Sequence, residues 1–221
     1  MRAVLLDALG TLVYLEPPAP RLRDALRELA GVEVTLAQAA LAFRAEIGHY
    51  LAHHTEGRDA PGLDRLRDDC TEVMRAALPQ PAPGHAVVRE AMLAALSFAA
   101  FDDVVPALRE LRERGLRLVV VSNWDCSLPQ WLAGAGLGPL LDGTVSSAAA
   151  GAPKPAPAAF LAGLELAGVS AEEAVHVGDS PEADIEGARA AGIRAVLLAR
   201  DGRAPGGVQS VGSLRELPSL L

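Results

Sequence analysis

Cysteine is scarce: Cys70 and Cys126 are the only two among 221 residues. Two thiols with no CxxC spacing exclude a disulfide framework and point to a reducing, cytoplasmic setting. Aromatic residues make up only 4%, so Ala, Leu and Val must build most of any core. Lysine is scarcer still. Lys154 stands alone, and arginine supplies the other 19 basic residues. Where a chain built on arginine uses a lysine, a compact ammonium rather than a planar fork is implied. No apolar run is long enough to span a bilayer, since Ala91–Phe101 is short and contains Ser97. Asp7 breaks the N-terminal apolar stretch, and no small-residue cleavage pattern follows before Glu16, so a signal peptide is not expected. Positive charge is outweighed, 20 basic against 28 acidic residues, for a net charge of −8 and a pI near 5.1. With no basic block, that balance argues against a nucleic-acid partner.

What is present is a core-forming chain. Half the residues are hydrophobic and 22% are charged, which excludes wholesale disorder. Four short apolar runs read as buried parallel strands: Arg2–Leu6, Leu116–Val121, Ala174–Val177 and Ile193–Leu198, with a weaker one at Gly143–Ser146. Helical patterns at Val104–Arg114, Leu128–Ala135, Pro157–Ala167 and Ala183–Ala190 alternate with them. Such alternation predicts an α/β fold, a Rossmann-like parallel sheet with helices on both faces. Between Glu16 and Ser97 the rhythm changes. Patterns there are helical (Arg21–Leu29, Leu36–Ala52, Leu63–Ala77, Val87–Leu96), separated by Gly and Pro breakers. The expected organisation is an α/β core from residues 1–15 and 98–221, with residues 16–97 as an inserted all-helical domain.

Open parallel sheets bind ligands beyond the carboxyl ends of their strands. Asp7 follows the first strand, Ser122 and Asn123 the second, and Gly178-Asp179 the third clear one. Lys154 lies in the loop GAPKPAP ahead of a helix. Each alone reads as a turn residue or a helix cap. Together, two carboxylates, a hydroxyl and an ammonium at one sheet edge suggest a reaction centre.

These residues carry a resemblance. The stretch GDSPEADIEGARAAGI (Gly178–Ile193), the Ser122-Asn123 pair and the KP-x-P of Lys154–Pro157 are similar to motifs of the haloacid dehalogenase-like hydrolases, in the branch with a helical cap inserted after the first motif. The resemblance covers about residues 2–11 and 101–198; the helical insertion matches only in place and helicity. It implies Asp7 as nucleophile, forming an aspartyl-phosphate in phosphatase members. It implies Mg²⁺ held by Asp7, the backbone carbonyl of Leu9 and Asp179, with Asp184 holding the metal's waters or orienting Lys154. Ser122 and the Asn123 backbone N–H would bind phosphoryl oxygens, Lys154 would neutralise charge, and Thr11 would position the Asp7 loop. The implied partner is a small phosphorylated, or else halogenated, molecule, bound by a monomer or homodimer with neither membrane nor nucleic acid involved.

One position departs from the pattern. Phosphatases of this family usually carry a second Asp two residues after the nucleophile, which protonates the leaving group and then activates water. Here that position is Leu9. The departure keeps two alternatives open, a 2-haloacid dehalogenase-like hydrolase and a non-enzymatic phosphate- and metal-binding protein. Dehalogenases, however, need no metal and lack the carboxylate kept here as Asp179. A Schiff-base mechanism through an insertion lysine is excluded, since residues 16–97 contain none.

Weaker signals remain. His49, His53 and His54 read as solvated helix histidines rather than metal ligands, and His176 as a packed core residue. Trp124 reads as packing and Cys126 as inert. Asp125 reads first as the cap of the following helix, and is also the leading substitute for the missing acid.

Overall fold

The computed structural model describes residues 1–221. In chain order its strands are β1 (Ala3–Leu6), β2 (Val13–Leu15), β3 (Phe98–Ala100), β4 (Arg117–Ser122), β5 (Gly143–Ser146), β6 (Ala174–Gly178), β7 (Arg194–Leu198) and β8 (Ser210–Val211). The helices are α1 (Pro18–Ala30), α2 (Leu36–His53), α3 (Ala60–Ala77), α4 (His85–Ala95), α5 (Val104–Glu113), α6 (Leu128–Gly134), α7 (Ser147–Ala150), α8 (Ala158–Ala167) and α9 (Gly187–Ala190). Two compact units result, one of residues 1–14 with 99–221 and one of residues 15–98.

The first unit is a six-stranded sheet in the order β5-β4-β1-β6-β7-β8, parallel throughout. Strands covered on both faces must be apolar on both, which is why β1 reads AVLL and β4 reads RLVVVS, buried after its first residue. Leu5, Val119 and Val121 pack with Phe160 and Leu164 of α8 and with Ile185. Val4, Leu6, Leu118 and Val120 alternate with them and are equally buried, so they serve the opposite face. Leu6 is level with Val120 and with Val177. That register sets Asp7, Ser122 and Asp179 at the ends of three adjacent strands.

The second unit is helical. Thr35 and Gln38 form a reciprocal capping box at the start of α2, and Asp59 accepts the Gly62 N–H at the start of α3. Leu22, Leu26, Phe43, Leu66, Met74, Val88 and Met92 form its core. No helix of the chain is long and apolar enough to cross a membrane.

Besides β8, the sixth strand of the sheet, and the single turn α7, two features were not foreseen. β2 and β3 pair as a two-stranded ribbon where the chain enters and leaves the helical unit. With three residues each, they are too short to display a period. β3 is cut from the apolar run Ala91–Phe101, which is helical only as far as Ala95. The helix expected at Ala183–Ala190 is also divided: Pro181–Glu186 forms a wide π-helical turn and α9 begins at Gly187. Ser180, not Asp184, caps that turn, its hydroxyl accepting the Ala183 N–H at 3.1 Å. The Asp184 side chain is thereby released for other work.

Candidate active site

Asp7 follows β1 directly and its main chain remains in the sheet, its N–H donating to Val177 O at 2.9 Å. The side chain is buried. Its Oδ1 accepts hydrogen bonds from Ser122 Oγ at 2.9 Å and from Lys154 Nζ at 2.7 Å. Both fall on Oδ1, and Oδ2 takes neither.

Lys154, 4% exposed, has each proton of its ammonium assigned: Asp7 Oδ1 at 2.7 Å, Asp184 Oδ1 at 2.6 Å and Val121 O at 2.9 Å. Burial opposes this charge, but Asp7 and Asp184 outweigh it and hold the ammonium above its ordinary pKa. The loop carrying Lys154 is fastened by Asn123, whose Oδ1 accepts the Lys154 N–H at 2.7 Å and whose Nδ2 donates to Lys154 O at 3.0 Å. The Asn123 side chain thus acts on the lysine loop.

Asp184 lies inside the network. Its Oδ1 accepts from both Lys154 and His176 Nε2, the latter at 2.9 Å, and its Oδ2 accepts the Ser180 N–H at 3.0 Å. Burial alone would raise its pKa; His176 and Lys154 hold it well below the usual carboxylate range. Against an ionised carboxylate, Nε2 is the protonated ring nitrogen of His176. Burial keeps that imidazole neutral, packed edge-on against Phe160 at 5.0 Å between ring centres. The packed-core reading of His176 therefore holds but is incomplete. A lone polar residue in the strand AVHVG was the available signal.

Asp179 stands on the exposed side of the cluster. Burial of its inner face, then the negative charge of Asp7 and Asp184, raise its pKa to about 6. Oxygens of Asp7, Asp179 and Asp184 all lie within 4.8 Å of one another. Two glycines make the approach possible. Gly10 has φ +84, and a Cβ there would collide with the Asp179 carboxylate. A Cβ on Gly178 would collide with the carboxylate of Asp184. A cleft of about 350 Å³ opens beside Asp179, lined by Gly10, Pro181, Leu197, Arg200 and Arg203.

Thr11 is fully buried, and its hydroxyl has no hydrogen-bond partner. Its main chain is tied into the loop after Asp7, with its N–H on Ala8 O and its carbonyl accepting from Arg200. Leu9 is 45% exposed and presents no acid. Asp125 caps the turn before α6, as its first reading had it: its Oδ1 accepts from Ser127 N at 2.6 Å and Ser127 Oγ at 2.5 Å. Trp124 is core packing. His54 is buried rather than solvated, its Nδ1 bonded to Leu51 O at 3.1 Å; His49 and His53 stack at 4.2 Å between ring centres, and the three-carboxylate group is the one cluster of metal-type side chains.

The donor set suits a hard cation. Three carboxylates converge, the only cation bonded to them is Lys154, and the excess negative charge is what a divalent, oxygen-preferring ion would balance.

A family model of haloacid dehalogenase-like hydrolases matches residues 1–192. The chain is 47% identical over 92 residues to haloacid dehalogenase-like hydrolase domain-containing protein 3 of Bos taurus, a match covering 42% of this chain and 37% of that protein. The match thus spans well under half the length of that relative. Phosphoserine phosphatase of Thermus thermophilus is 34% identical over 98% of each chain. Among solved structures, a haloacid dehalogenase-type phosphatase from Thermococcus onnurineus superposes with TM-score 0.69 at 25% identity, covering 100% of this chain and 97% of that one. A 2-haloacid dehalogenase from Pseudomonas syringae does so equally at 24% identity with the same coverages, a likeness of fold alone. Strand order, the motif residues gathered at adjacent strand ends and the match over residues 1–192 lead to one conclusion: this chain belongs to the haloacid dehalogenase-like hydrolase family.

Proposed function

We propose that this hydrolase is a Mg²⁺-dependent phosphatase acting on a small phosphate ester through Asp7, with residues 16–97 as its helical cap. One observation carries the reading: Asp179 is held beside Asp7 and Asp184, at the price of a raised pKa, in a cluster whose only bonded cation is Lys154. Asp7, Asp179 and the Leu9 carbonyl would hold Mg²⁺, with Asp184 beside them. When bound, the ion supplies Lewis-acid polarisation and charge neutralisation at phosphoryl oxygens.

The protein's own groups define the rest. An Asp7 oxygen attacks phosphorus, a P–O bond to Asp7 forms, and the ester P–O bond breaks with its electron pair leaving on the alcohol oxygen. Lys154, held by Asp184 and Val121, stabilises charge on the phosphoryl group. Ser122 Oγ orients Asp7 through its one proton and would turn that proton to a phosphoryl oxygen when substrate binds, beside the Asn123 N–H. Water then cleaves the aspartyl-phosphate and restores Asp7. No side chain at position 9 protonates the departing oxygen, so substrates whose leaving groups depart as stable anions are favoured. Relatives named as phosphatases add support.

Leu9 is also the observation that favours a dehalogenase reading, because halide leaves without a proton. A panel of aryl and alkyl phosphates and L-2-haloacids, assayed with Mg²⁺ and with chelator, separates the two. Chelator-sensitive phosphate release that disappears in a folded Asp7→Asn supports the phosphatase. Chloride release insensitive to chelator overturns it. Binding of a phosphate analogue with no turnover of any substrate would leave a binding protein.

A further inference from the structure

Arg200 stands two residues beyond β7, far along the chain from Asp7, yet its guanidinium reaches the loop that follows the nucleophile. Nε donates to Gly10 O at 3.2 Å and Nη2 to Thr11 O at 2.8 Å. Nη1 and Nη2 grip the two oxygens of Asp103 at 3.0 Å each, a bidentate pair. The guanidinium carbon sits 3.8 Å from the centre of the Phe101 ring. Asp103 is itself saturated, also accepting from Ser213 Oγ and the Leu214 N–H at 2.8 Å. These bonds outweigh its burial and hold it below the ordinary aspartate pKa.

We infer that Arg200 is a positioning residue for the nucleophile loop, setting the place of the Leu9 carbonyl and Gly10 relative to Asp179. This inference rests on the metal-dependent reading above. Gly10 has no side chain to anchor and a left-handed backbone that only main-chain contacts can hold. Its N–H is bound to Val13 O, and Leu12 and Val13 fold back on Ala8 O. Arg200 takes the carbonyls of Gly10 and Thr11. It ties them to Phe101 and Asp103, where the chain re-enters the sheet unit and where Phe101 N–H meets Leu12 O at 3.2 Å. One rigid fork thus locks the outgoing and returning chain together next to the carboxylate cluster. A lysine could keep a charge near Asp103 but not cover four bonds in one plane.

The test is Arg200→Lys, with Mg²⁺ alone as titrant in calorimetry and hydrogen exchange of peptides spanning residues 8–14. Disturbed support of metal-site groups typically costs about 10–100-fold in metal affinity or activity. The expected result is Mg²⁺ affinity weakened at least about tenfold, with faster exchange at 8–14 and unchanged exchange in β7. If Arg200→Lys does not fold, Asp103→Asn releases the fork from its partner and should show the same pattern more weakly. Wild-type Mg²⁺ affinity and exchange at 8–14, with only a lowered melting temperature, would reduce Arg200 to a structural brace and overturn the inference. Neither measurement needs turnover. A wild type that binds Mg²⁺ yet hydrolyses no phosphate ester would sink the phosphatase reading while leaving this one standing.

Discussion

Asn123 and Lys154 hold each other by two reciprocal hydrogen bonds, side chain to main chain, at 2.7 and 3.0 Å. An amide at the end of β4 thereby fixes the loop that delivers the only lysine to Asp7. The side chain of Asn123 fills a role distinct from the phosphoryl contact expected of its backbone N–H. Asn123→Ala should keep the fold and lower kcat more than it raises KM. A shift of about 1 Å in a positioned group can cost about 100-fold, which sets the ceiling of the effect. Steady-state kinetics on an aryl phosphate check this, and an unchanged kcat would show that the Lys154 loop stands without its clamp.

Lys154→Arg should lose nearly all activity although charge is conserved. The ammonium is 4% exposed and its three protons meet Asp7, Asp184 and Val121 O. A forked guanidinium needs more room and aims its N–H groups in one plane, so it would displace Asp7 from an in-line approach to phosphorus. Rates equal to wild type in a folded Lys154→Arg would mean that positive charge alone suffices.

Leu9 leads to a dependence on the leaving group. Aryl phosphates should be hydrolysed far faster than alkyl phosphates. Leu9→Asp should raise alkyl phosphate turnover, by at most the ~10²–10⁴-fold that a positioned acid supplies. The side chain is 45% exposed, so a carboxylate there would remain hydrated and the substitution should be tolerated. The idea fails if wild type shows no preference for aryl esters and a folded, Mg²⁺-binding Leu9→Asp gains nothing.

Glu46 gives the helical unit a pH-dependent stability. It is buried in α2, where burial raises its carboxyl to about 7 against an opposing hydrogen bond from Cys70. Its folded pKa lies above the ordinary glutamate value of about 4.5, so the folded state holds the proton longer and stability is greatest below pH 4.5. Stability then falls as pH rises to about 7, by roughly 3 kcal/mol from a shift of that size. Glu46→Gln should therefore melt several degrees higher than wild type at pH 8 and nearly the same at pH 4.5. Thermal unfolding at both values decides it; an equal or lower melting temperature for Glu46→Gln at pH 8 would refute the assignment.

The sequence by itself determined the sheet and which polar residues stand at its edge. Strands buried on both faces must be written as near-continuous apolar runs, so AVLL, LVVV and AVHVG announce themselves, and the residue after each run stands at the ligand-binding edge. Asp7, Ser122 and Asp179 were legible for that reason, and Lys154 because no other lysine exists. Tertiary structure decided the partners. Lys154 joins Asp7 across 147 residues, His176 turns out to hold Asp184, and Arg200 reaches Gly10 across 190 residues. Periodicity reports only which face of an element is buried, and such contacts depend on where separate elements end in space. Asp125 shows the same limit from the other side. Its acidity was visible in the sequence, but only the folded turn shows Ser127 bonded twice to its Oδ1.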